Sequence, residues 1–141
     1  AANADNSVRI AEAGGIEPLV LLVRSGTDVQ KENAAAALLH LAVDADNRVR
    51  IAEAGGIEPL VLLVRSGTDV QKEKAAAALH NLAVNECNEV PIAEAGSIEP
   101  LIFLAKSGTN VQKERAAVAL RNLAGNAENK VRIAEAGGIE P

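Results

Sequence analysis

The chain has 141 residues, an apolar fraction of 48% and a formal net charge of −5 at pH 7. That balance supports a packed core and excludes a general binder of nucleic-acid backbones, whose footprint would be a basic stripe. With one Phe and no Trp or Tyr, the core must come from Ala, Leu, Val and Ile through close approach of helices, not from large rings.

A repeat governs everything else. Pro18, Pro59, Pro100 and Pro141 stand at a constant step (59−18, 100−59 and 141−100 each give 41). Ile10, Ile51, Ile92 and Ile133 keep that step, as do Asn6, Asn47, Asn88 and Asn129. A fixed period near forty with helical patterning predicts a solenoid whose units contact mainly their neighbours. The units run 1–41, 42–82 and 83–123, with a partial fourth over 124–141, as one array. Cys87 is the single cysteine, so no disulfide forms within the chain. That fits a reducing compartment, cytoplasmic or nuclear. No apolar run approaches the roughly 18 residues of a membrane span, and there is no signal-peptide pattern. A chain opening on Ala1 in place of Met reads as a trimmed fragment.

Each unit opens with a short helix, Ser7 to Ala13 in the first copy. Asn6 is expected to cap it and Gly14 to stop it in the left-handed conformation. In the third copy Pro91 replaces Arg9, Arg50 and Arg132; the expected position is the first turn, where a missing N–H costs little.

The second helix is expected from about Pro18 to Arg24, with Gly26 behind it and Ile16 stapled onto Leu21. Leu19 to Val23 is apolar without a break, so this helix is expected to be buried all round. On that reading Leu62→Ala leaves a cavity costing about 2–5 kcal/mol.

The third helix begins with a capping box. Thr27 and Gln30 have the T-x-x-Q spacing that satisfies two free N–H groups reciprocally, and Thr68/Gln71 and Thr109/Gln112 repeat it. Val29, Ala34, Leu38 and Leu41 fall on one side, and the run Ala34–Ala37 lets neighbouring helices come close. Positions 33 and 40, seven apart, stack on the other side.

The segment AEAGGIEPLVLLVRSGTDVQKENAAAALLHLA resembles the armadillo repeat, with GGIEPLV at the opening and ALHNLA at the close as its marks. The wording is most similar to plant and protist members. The resemblance covers essentially the whole chain and implies an all-α, right-handed superhelical solenoid of three-helix units. It also implies a non-enzymatic protein–protein interaction scaffold that binds an extended peptide along the concave face lined by third helices.

In importin-like members an Asn near the end of that helix pairs with the peptide backbone. Asn81 and Asn122 hold that position, and His40 replaces it in the first unit. An amide supplies both donor and acceptor, which suits a strand of any sequence. Two departures follow. Where the importin-like pattern has Trp, this chain has Ala36, Ala77 and Val118, so aromatic pockets are missing. Where it often has an acid, Asn33, Lys74 and Arg115 stand, so a neutral or acidic segment is expected as partner in preference to a basic one. An Asn81→Ala/Asn122→Ala variant is expected to abolish peptide binding and leave self-association intact.

Residues 7–41 and 48–82 differ only at 7/48, 33/74, 39/80 and 40/81. Positions 33/74 and 40/81 lie on the ligand stripe; Leu39 against His80 reads as drift. His40 and His80 have no ligand-spaced partners, so no metal or cofactor is expected. The Glu12/Glu53/Glu94/Glu135 and Arg9/Arg50/Arg132 ladders read as solvated surface charge. The GG pairs read as helix stops, and no nucleophile–base pair appears, so an enzyme is not expected. A different reading comes from residues 1–18 and 124–141, which differ only at 2/125, 5/128 and 7/130. Such copies suit a minimal, consensus-like or repeat-fused module that associates with itself through uncapped ends and has no physiological ligand.

Overall fold

The computed structural model describes residues 13–137 throughout, with Asn6, Arg9 and Ile10 ahead of them. The first copy of the opening helix therefore lies largely outside the described residues. Nine helices and no strand occur among the described residues: α1 (Ile16–Ser25), α2 (Asp28–Leu41), α3 (Ala45–Glu53), α4 (Ile57–Ser66), α5 (Asp69–Leu82), α6 (Glu86–Glu94), α7 (Ile98–Ser107), α8 (Asn110–Leu123) and α9 (Ala127–Glu135). None is long and apolar enough to cross a membrane.

The long helices form as expected. Thr27, Thr68 and Thr109 accept from the N–H of Gln30, Gln71 and Gln112 at 3.2 Å, and each glutamine Oε1 accepts in return from the threonine N–H at 2.9–3.1 Å. Their alanine runs make the inter-unit seam: α2 packs on α5 and α5 on α8, with α1, α4 and α7 each folded back on its own long helix. Ala75 to Ala78 are all at most 1% exposed. Val29 departs from the expected face and is 65% exposed, and its copies Val70 and Val111 are 40% exposed.

The short helices start earlier than expected. α3 begins at Ala45, and its cap is Asp44, whose Oδ1 accepts from the Asn47 N–H at 3.0 Å. Asn126 does the same for Asn129 at 3.1 Å. The recurring Asn is therefore not the cap. Asn47 and Asn88 are 2% exposed and donate to the Leu41 and Leu82 carbonyls at 3.0 Å. They latch the short helix to the free C-terminal carbonyls of the long one before it. The early start also moves Pro91 from the first turn to the helix interior, where it removes the bond to the Cys87 carbonyl. The helix stops do hold: Gly14, Gly55, Gly96 and Gly137 have φ between 80 and 91°.

α1, α4 and α7 begin at the isoleucine, two residues ahead of the proline. Pro18 still falls in the first turn, where a missing N–H leaves no helical bond unmade. These helices are not buried all round. Leu60, Val61, Leu63 and Val64 are buried, but Leu62 is 54% exposed, and its copies Leu21 and Phe103 are 60% and 61% exposed. A five-residue apolar run spans the whole helical circle, and neighbours cover only part of that circle. Leu21, expected to staple onto Ile16, is largely exposed, while Ile16 is buried. Leu60→Ala should therefore cost about 2–5 kcal/mol in urea unfolding, and Leu62→Ala less than about 1 kcal/mol; equal costs would contradict this packing.

Candidate functional site

The nine sequence-chosen residues lie on the long helices α2, α5 and α8. In the first unit Asn33 and His40 are exposed and Ala36 is half-buried. In the second, Lys74 and Asn81 are half-buried and Ala77 is 1% exposed. In the third, Arg115, Val118 and Asn122 are all half-buried. Ala77 is thus packed inside and offers almost no surface. Lys74 pairs with its neighbour Glu73 at 3.8 Å, the outer limit of an ion pair.

The asparagines have an architectural task that the sequence did not reveal. Asn81 Nδ2 donates to the Leu39 carbonyl at 2.9 Å, and Asn122 Nδ2 to the His80 carbonyl at 2.8 Å. Each bond ties one long helix to the one before it and turns the amide across the seam. An Asn81→Ala/Asn122→Ala change therefore cuts two inter-helix bonds, each worth about 0.5–1.5 kcal/mol, and is no clean test of ligand binding.

Three further lacings went unseen in the sequence, although the first two recur with the repeat. Gln71 Nε2 donates to the Asp28 carbonyl at 3.0 Å, and Gln112 Nε2 to the Asp69 carbonyl at 2.9 Å. One glutamine thus caps its own helix and binds its neighbour. Arg24 and Arg65 reach the Gly55 and Gly96 carbonyls at 3.4 and 3.2 Å. Arg48 donates to the Ala42 and Val43 carbonyls and to Asn85 Oδ1, at 2.7–2.9 Å.

His80, read as drift, is the chemically distinctive residue of the long helices. It lies at the seam between α5 and α8, and its Nε2 is buried with no hydrogen-bond partner. Burial depresses its pKa below the ordinary 6.5, and the charges of Arg115 and Arg121 push it the same way. A histidine so depressed stabilises the fold fully above pH 6.5, and that contribution is lost as the pH falls through the native value. His80→Leu, which restores the residue found at Leu39, should flatten the fall in Tm between about pH 7.5 and pH 5. An unchanged pH profile would rule out the assignment. No group of three or more potential metal-ligating side chains occurs among the described residues.

Stacked three-helix units laced side chain to backbone define a helical solenoid. The Armadillo/beta-catenin-like repeat model matches residues 3–43 and 44–84, more than half of the chain. The chain belongs to that family. Among solved structures, an engineered protein is 35% identical with a TM-score of 0.90, covering 96% of this chain and 56% of its own. A structure of computationally designed armadillo repeat proteins for modular peptide recognition is 30% identical with a TM-score of 0.89, over 95% and 58%. A designed armadillo repeat protein in complex with the peptide (KR)4 is 27% identical with a TM-score of 0.88, over 95% and 57%. The chain thus spans a little over half the length of these structures. No curated protein matches the sequence.

Proposed function

We propose that the chain is a non-enzymatic interaction scaffold whose groove along α2, α5 and α8 holds an extended peptide segment. The observation that carries this is the register of Asn81 and Asn122. Each amide is fixed by one bond to the preceding helix, and each keeps a second N–H and its Oδ1 for a ligand. A peptide strand has one donor and one acceptor per residue, so it can use both at each rung. Solved relatives described for peptide recognition support the reading.

The partner is an intracellular protein segment, cytoplasmic or nuclear, neutral or acidic in preference to basic. One relative holds (KR)4, but here Lys74 and Arg115 stand in the groove, where a basic peptide meets like charge. Ala36, Ala77 and Val118 leave the groove without deep aromatic pockets, so affinity rests on backbone pairing and should be weak.

Selection of random 12-residue peptides on the immobilised chain, followed by amide NMR mapping, tests this. Bound peptides should shift signals of α2, α5 and α8. Ala36→Arg, checked for folding by circular dichroism, should weaken their binding by about tenfold or more, roughly 1.4 kcal/mol. Shifts confined to the short helices would contradict the proposal, and so would a failure to select any binder.

A further inference from the structure

Charge is distributed unevenly along the groove. The first unit presents Asn33 and His40; the second presents Lys74; the third presents Arg115 and Arg121. Among the described residues, Arg115 and Arg121 make no ion pair within 4.0 Å, the only such pairs being Lys74–Glu73 and Arg132–Glu128. They belong to the same seam as His80. The Asn122–His80 bond sets Arg121, the preceding residue, level with the His80 backbone, and both arginine charges bear on the imidazole. Two guanidiniums without an ion-pair partner thus bear on one unpartnered ring nitrogen.

At the equivalent seam between α2 and α5, Leu39 stands for His80, Lys74 for Arg115 and His80 for Arg121. No arginine is present on α2 or α5, and Lys74 already has Glu73 at 3.8 Å. A guanidinium grips a carboxylate through two parallel N–H bonds, whereas an ammonium acts as a point charge.

We infer that the groove reads charge at one end: an acidic side chain docks at the α5–α8 seam on Arg115 and Arg121, and a second, weaker acidic contact falls on Lys74. Adjacent helices lie about 8–10 Å apart, which an extended chain covers in two or three residues at about 3.3 Å each. The recognised segment is therefore an acidic pair two or three residues apart, with neutral residues running on toward α2. This rests on the groove reading above and deepens it.

The test uses fluorescein-labelled Ser/Gly decapeptides carrying Glu-x-Glu or Glu-x-x-Glu, together with their Gln counterparts, followed by anisotropy. Acidic peptides should bind at least about tenfold tighter than the Gln forms. Arg115→Gln/Arg121→Gln should erase that preference. Arg50→Gln/Lys130→Gln removes the same charge from exposed sites on α3 and α9 and should preserve it. Equal binding of Glu and Gln peptides would overturn the subsite and leave the groove standing. A preference that survives in the Arg115/Arg121 variant, or falls equally in the control, would also overturn the subsite and point to the overall field. If no peptide binds in any form, the groove reading falls and the subsite with it.

Discussion

Everything in this molecule depends on how closely three long helices lie together. Alanine at the seam allows that approach: Ala35 and Ala76 are fully buried against the following helix. Methyl groups alone give proximity but little register, since they slide as easily as they pack. Register comes from side-chain amides that reach across to main-chain carbonyls. Gln71 and Gln112 do this at the start of the long helices, and Asn81 and Asn122 at the end. A backbone acceptor stays in place whatever residue occupies the neighbouring position, so the same donor serves at every seam. The seam therefore also fixes the spacing of any rungs offered to a ligand.

The third unit shows what the repeat tolerates. Arg48 clamps the end of α2 and takes Asn85 Oδ1; Asn85 then spends its Nδ2 on the Ala45 carbonyl, and α6 starts with no side-chain cap. One unit on, Glu89 stands in the arginine's place and cannot donate to carbonyls. It is 9% exposed, and burial, with Glu86 nearby, raises its pKa. Asn126 is left free to cap α9. Gly125 replaces Val43 and Val84 and makes the room, since a Cβ there would stand 2.5 Å from the Glu89 carboxylate. Ser97 is a less comfortable change. A Cβ at its glycine copy Gly56 would lie 2.7 Å from the Ile51 side chain, and the Ser97 hydroxyl is buried without a partner.

The parts legible in the sequence were those with local causes. A capping box closes within four residues, so the long helices began where their threonines said. A glycine at positive φ ends a helix by its own conformational freedom, so the short helices stopped on time. The errors came where two local signals competed or a neighbour decided. Asp44 and Asn47 are both good caps, three residues apart, and only the Leu41 carbonyl settles which is buried. An unbroken Leu–Val run does not say which residue faces solvent. The lacing role of Asn81 was not legible, because its acceptor lies 42 positions away. His80 was dismissed because its meaning lies in Arg115 and Arg121, on the next helix.

The most direct test of the seam compares one substitution at two copies of one position. Ala76 is fully buried against α8, while Ala117, its copy, is exposed. Urea unfolding of Ala76→Leu and Ala117→Leu separates helix approach from helix propensity, because the residue change and helix position are the same. Ala76→Leu should lose about 1–3 kcal/mol by overpacking, and Ala117→Leu should stay within about 0.5 kcal/mol of the parent. Equal effects at the two sites would mean that close approach of the long helices does not hold the array together.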